Sequence, residues 1–181
     1  MTYPKPIYTL QFSKDNEYLA LGGVENVAYV ISVETWEIIS ETHMSSSILT
    51  VGFSLKNERL ALGLADGVLS LLEPDTNTNW KIISEMDEND SPILSLDWSN
   101  NEKYLALGRN DSTLTIHESQ SVLDNFFMPE TELIRGGGAP VYSLRFGVEG
   151  KFLGEILRCR IIESVFIINF NERVFIINLH V

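Results

Sequence analysis

Apolar and polar positions alternate in a run that the chain writes four times: "IYTLQFS" from Ile7, "ILTVGFS" from Ile48, "ILSLDWS" from Ile93 and "VYSLRFG" from Val141. Alternation over that length predicts a half-buried β-strand. At the same offset behind each start stands a leucine: Leu19, Leu60, Leu105 and Leu153. In three units it opens the core LALG, as "YLALGG" at 18–23, "RLALGL" at 59–64 and "YLALGR" at 104–109, and the fourth keeps the register with "KFLG". The linkers "SKDNE", "SLKNE" and "SNNEK" carry the Ser, Asn and Asp of tight exposed turns. A third strand follows as "VAYVISV", "GVLSLLE" and "STLTIHE", and a fourth as "WEIISE" at 36–41 and "WKIISE" at 80–85. Each unit therefore reads as a four-stranded antiparallel meander, and repetition at this spacing outranks any local signal.

The LALG strand is apolar on both faces. Alternate residues of a strand point to opposite sides of its sheet, so Leu19 and Leu21 can bury against one neighbouring sheet while Ala20 lets another approach closely. A lone meander cannot cover both faces. Stacked meanders can, which is why such units come in series.

On these residues the chain resembles the WD-repeat family of β-propellers, over about residues 7 to 154. The glycine that ends the family's second strand is present as Gly22, Gly63 and Gly108, and its acidic turn as Glu25, Asp66 and Asp111. The Trp-Asp pair is degenerate, falling on Ile31, Leu72 and His117 followed by Ser32, Glu73 and Glu118. The Gly-His pair is missing, with Met44, Asn89 and Gly137 at the histidine sites. The resemblance implies an all-β, WD-repeat-like β-propeller of three to four four-stranded antiparallel blades in which the family's hydrogen-bonded tetrad does not form.

Such rings typically use four to eight blades, and the fourth unit here loses its pattern after Gly154. The expected organisation is blades over residues 1–154, with units starting near 7, 48, 93 and 141, and a divergent apolar tail over 155–181. The tail writes "VFIIN" at Val165 and again at Val174, which reads as a β-hairpin completing the fourth blade. An incomplete propeller is expected, able to self-associate through exposed edge strands.

Charge narrows the partners. Twenty-five acidic against 13 basic side chains give a net charge of -12, which repels a phosphate backbone, so nucleic acid is not an expected partner. The single Cys159 supports neither an internal disulfide nor a structural zinc site, and no membrane segment is evident, so the expected location is cytoplasmic or nuclear. No catalytic set is legible. His43, His117 and His180 lack metal-ligand spacing; "RGGGAP" at 135–140 precedes a strand and reads as a connection between blades; "EMDENDSP" at 85–92 lacks the glycine and terminal glutamate of a calcium loop. No cofactor or metal is expected. Trp36 and Trp80 share one repeat position while Trp98 stands where other units have Phe, and all three are expected in core or inter-blade packing, with Trp36 or Trp80 as the alternative partner anchor.

What remains is a rigid frame with variable loops crowded at one end. The expectation is a non-catalytic scaffold for protein or peptide partners, preferring basic ones, within a larger assembly. Its contact candidates are the turn residues Glu25, Asp66 and Asp111 and the loop residues His43, Asp90 and Arg135. The alternatives are a propeller-type hydrolase and a truncated, non-functional fragment.

Overall fold

The computed structural model describes residues 5–76, 79–87, 90–119, 134–135, 140–146, 152–158 and 163–169, with backbone alone at 134–135, 152–158 and 163–169. The described strands form four antiparallel sheets in chain order. The first holds β1 (Ile7–Phe12), β2 (Tyr18–Gly23), β3 (Val27–Ser32) and β4 (Ile38–His43). The second holds β5 (Ile48–Phe53), β6 (Leu60–Leu64), β7 (Val68–Pro74) and β8 (Trp80–Asp87). The third holds β9 (Ile93–Trp98), β10 (Tyr104–Arg109), β11 (Thr113–Glu118) and β12 (Ile134–Arg135). The fourth holds β13 (Leu144–Phe146), β14 (Phe152–Arg158) and β15 (Glu163–Asn169).

Local chemistry closes each hairpin in the same way. The serine after each first strand, Ser13, Ser54 or Ser99, accepts a hydrogen bond on its hydroxyl from the amide of Tyr18, Arg59 or Tyr104, at or just before the start of the next strand. Between them one residue takes a left-handed conformation: Asn16, Asn57 and Glu102, with φ of 63°, 60° and 57°. Asparagine is enriched there because its short polar side chain tolerates that region. The second turn repeats the device at Asn26, Gly67 and Ser112.

Packing confirms the division of labour within LALG. Leu60 and Leu62 share one buried cluster with Ala20, Ala28 and Val30 of the preceding sheet, whereas Ala61 faces the following sheet, clustered with Ile93, Leu96, Leu105 and Leu107. Ala106 in turn meets Val141, Leu144 and Phe146 of the fourth sheet. Each buried leucine contributes roughly 1.5–3 kcal/mol. The glycine after each LALG leucine is a seat. A Cβ on Gly63 would lie 2.6 Å from Ile93 Cγ2, and Gly22 and Gly108 hold Ile48 and Val141 equally closely. The family glycine is thus required here by the side chain that the next sheet rests on it.

Hydrogen bonds fix the register between neighbouring sheets. Gln11 Oε1 accepts from the Phe53 amide at 2.6 Å, and Asp97, at the same repeat position, accepts on Oδ2 from the Phe146 amide at 2.6 Å. The intervening unit has Gly52 at this place and no side chain to offer. There the indole Nε1–H of Trp98 donates to the Gly52 carbonyl at 3.0 Å, which accounts for tryptophan replacing phenylalanine in that unit.

One expectation changes. Trp80 and Trp98 are buried as expected, but Trp36 is 58% exposed with φ of 58°. The turn before it is the cause: Ser32 pairs directly with Glu37, leaving Trp36 inside the hairpin loop, whereas Trp80 lies beyond a longer turn and pairs with Pro74. In the fourth unit β14 runs through Gly154 to Arg158 without a break, and Val165 pairs with Ile156 on β14. The repeat at Val174 lies outside the described residues, as do Cys159, Asn89 and Gly137.

Candidate interaction surface

The turns between second and third strands and the connections between sheets come together at one end, stitched by serines. Ser45 Oγ donates to Asp66 Oδ2 at 2.6 Å, and the Asp66 amide donates to Ser46 Oγ at 3.1 Å. Ser47 Oγ reaches Asn26 Oδ1 at 3.2 Å, so the connection 44–47 is clamped between the turns at Asn26 and Asp66. One unit on, the Asp111 amide donates to Ser91 Oγ and the Asn110 amide to the Pro92 carbonyl. Sequence reading singled out the acidic residues of this end and passed over the serines that hold them; their signal was the run Ser45-Ser46-Ser47 and the Ser91 that answers it.

Asp66 and Asp111 each accept the amide of the residue two positions on, Val68 or Thr113, and Asp111 also accepts the Thr113 hydroxyl at 2.6 Å. Burial acts to raise both pKa values, yet these bonds to the charged form outweigh it and hold both below the ordinary aspartate value. Both are therefore ionised turn-makers. Glu25 extends to Lys5 Nζ at 3.5 Å, and Asp90 is exposed in the connection before the third sheet. Two candidates move. His43 is the last residue of β4, paired with Val27, and Arg135 belongs to β12, paired with Thr113, so both stand on edge strands where loops were expected.

The first strands surround a cleft of about 270 Å³, lined by Thr9, Thr50, Ser95 and Ser143 at one repeat position and by Leu49, Leu94 and Tyr142 at another. A β-bulge explains the second set. Pairing skips from Ile7 to Thr9, from Ile48 to Thr50 and from Ser95 to Ile93, leaving Tyr8, Leu49 and Leu94 out of the ladder, and Tyr142 holds the matching place in the fourth unit. Bulges re-aim side chains in this way. Tyr8 and Tyr142 are exposed. Strict alternation, as read from the sequence, hid the bulge.

At the inner end of the same strands Asp97 is flanked by Lys14 and Arg145 around a small polar hollow of about 60 Å³. Burial pushes its carboxyl up, against the Phe146 amide and the charges of Arg145 and Lys14, which pull it down. His117, at the degenerate Trp position, is buried with Nε2 3.0 Å from Thr115 Oγ1, which also accepts from Arg109 Nη1 at 2.8 Å. Among the described residues no group of three His, Cys, Asp or Glu side chains is placed to hold a metal ion, and no helix is long and apolar enough to cross a membrane.

Residues 52–126 match the family described as the anaphase-promoting complex subunit 4 WD40 domain. Among curated proteins the chain is similar to the human U3 small nucleolar RNA-associated protein 18 homolog, 23% identical over 119 residues. That alignment covers 66% of this chain and 21% of the relative, so the chain spans about a fifth of the curated relative it matches. A solved structure, the crystal structure of a mitotic checkpoint complex, superposes with a TM-score of 0.76 at 16% identity, covering 90% of this chain and 49% of the matched one. With the repeated LALG strand, its glycine seats and the four consecutive meanders, these likenesses show that the chain has the fold of the WD-repeat β-propellers, with degenerate repeats and an open array of described blades.

Proposed function

We propose that the chain is a non-catalytic platform that receives basic protein or peptide segments on the end formed by the turns at Glu25, Asp66 and Asp111 and the connection bearing Asp90. One observation carries this reading: four carboxylates stand on a single end whose turns and connections are locked to one another by Ser45, Ser46, Ser47 and Ser91. A surface ordered before binding loses little conformational entropy on association. Asp66 and Asp111 supply fixed negative charge, Glu25 adds a carboxylate held towards Lys5 and Tyr29, and Asp90 is exposed to a partner. Tyr8, raised by the bulge in β1, and Tyr142 at the matching place of the fourth unit offer exposed aromatic area at this same end.

The relative named for U3 small nucleolar RNA supports work inside a larger nuclear assembly. The net charge of -12 favours a protein of that assembly as the direct contact over its RNA. Titration of a fluorescent Lys/Arg-rich peptide onto the wild type and onto Glu25→Lys/Asp90→Lys tests the reading. The double variant is expected to bind at least about tenfold more weakly and with a flatter salt dependence; equal affinity for both proteins would refute it.

A further inference from the structure

The hairpin turn between β3 and β4 departs from its counterpart in the second sheet in two ways at once. Trp36 sits in it with φ of 58° and 58% exposure, its amide donating to the Ser32 carbonyl at 2.8 Å. Asparagine takes this left-handed conformation at Asn16, Asn26 and Asn57. For a bulky residue it is an outlier, and with the indole exposed, burial does not offset the strain. The ring is thus displayed at a cost to the fold. It stands at the end of the meander opposite the turn at Glu25.

Charge is the second difference. In the second sheet this end balances itself: Lys81 Nζ lies 2.7 Å from Asp75 Oδ2, and Arg59 Nε 3.0 Å from Glu73 Oε1. In the third, Lys103 Nζ meets Glu118 Oε1 at 3.4 Å. The first sheet has no such pair. Counted on from Ile31 and Leu72, which hold one register position, Glu34 stands where Asp75 does, and Glu37 stands where Lys81 does because "WEIISE" and "WKIISE" run in step. Glu17 adjoins them, its carbonyl accepting from the Val33 amide at 2.8 Å. All three side chains are exposed, and among the described residues none of these carboxylates makes an ion pair or a hydrogen bond. Lys14, in the adjoining β1–β2 turn, lines the hollow at Asp97 and acts on that carboxyl instead.

We propose that the β3–β4 turn binds an arginine side chain of a protein partner, with the guanidinium stacked on the Trp36 indole and its N–H groups donated to the carboxylates of Glu34 and Glu37. The face of an indole attracts a cation. A planar guanidinium both stacks on the ring and forks onto carboxylates, which a compact ammonium does not, so arginine is preferred to lysine. Uncompensated acid beside the ring repels a phosphate backbone. The partner supplies the positive charge that Lys81, Arg59 and Lys103 supply within the other two sheets. This goes beyond the platform reading and does not depend on it, because the two sites lie at opposite ends of the meander.

The test titrates the full chain with a blocked Gly-Arg-Gly peptide and follows the Trp36 indole N–H and the amides of residues 34–37 by NMR. A saturable shift at Trp36 is expected in the millimolar range, at least about threefold weaker in Glu34→Gln/Glu37→Gln and with the lysine peptide, and absent with the neutral citrulline peptide. Trp36→Asn suits the left-handed turn, so it is expected to keep or raise the melting temperature while abolishing the shifts at residues 34–37; a purely structural Trp36 would lose stability instead. Glu25→Lys/Asp90→Lys is expected to bind this peptide at Trp36 unchanged, which lets the two sites fail separately. Equal shifts with the citrulline peptide, unchanged affinity in Glu34→Gln/Glu37→Gln, or a stationary Trp36 up to about 10 mM peptide would each overturn the proposal. Concentration-dependent shifts of Trp36 without peptide would also overturn it, by giving the turn to a second copy of the chain.

Discussion

Single positions in this chain take their meaning from the neighbouring sheet. Gly63 has an ordinary backbone conformation for a strand, and its need is for space, since an added methyl group would meet both Ile93 and Thr50. Gly63→Ala should therefore destabilise by about 1–3 kcal/mol, measured by urea unfolding, and a neutral result would show that Ile93 can move aside. Asp97 makes the same kind of link with a charged group. Burial raises its carboxyl above the unfolded value, and an acid shifted in that direction adds stability below the unfolded pKa and loses it as pH rises through the folded one. Asp97→Asn keeps an acceptor for the Phe146 amide without the buried charge. Its urea midpoint should equal or exceed the wild type at pH 7, with the wild type gaining on it as pH falls towards 3; a gap moving the opposite way would contradict the assignment.

Within elements, the same letters acquire different environments through turn length. Trp36 and Trp80 head almost identical strands, yet Trp80 is 2% exposed between two sheets while Trp36 stands in a hairpin loop. Trp80→Ala should cost about 3–5 kcal/mol and Trp36→Ala no more than about 0.5 kcal/mol, a contrast that differential scanning calorimetry would resolve. The turns at Asp66 and Asp111 add an acid-sensitive element. Each carboxyl titrates below its unfolded value, so its stabilisation is present above the unfolded pKa and is lost as pH falls through the folded one. Asp66→Asn/Asp111→Asn should be less stable at pH 7 and should show a shallower decline between about pH 4 and pH 2; an unchanged acid slope would mean these turns do not hold the rim together. The strands and their order were legible because period-two runs and Ser/Asn turns recur at fixed offsets. The serine stitching was not, because Ser45 meets Asp66 only after a whole sheet has folded between them.

At the scale of the whole molecule, the described residues form one ordered acidic end and leave Leu10 and Phe12 exposed on the apolar face of the first sheet. The first belongs to the platform reading, and its charge should govern encounter more than residence. Association with a basic peptide in stopped flow should slow by about tenfold or more between 0.02 and 0.3 M salt, and a salt-independent rate would remove the electrostatic argument. The second follows from equivalence among sheets, because a face that is buried once in this chain is displayed once more with the same residue types.

By itself the amino-acid sequence determined the meander, its repetition and the glycine in each second strand, since these depend on local alternation, turn chemistry and a spacing that can be read along one dimension. It also placed the acidic turns on the end where the connections lie. Only the tertiary structure decided which neighbour each residue serves: that Gly63 makes room for Ile93, that the Trp98 indole donates to the Gly52 carbonyl where a side-chain acceptor is lacking, that β14 crosses Gly154, and that Trp36 stays outside while Trp80 goes in. The reason is physical. Alternation states which side of a strand is apolar, but burial depends on whether another sheet arrives within van der Waals distance of that side, and arrival is settled by packing between residues some forty positions apart.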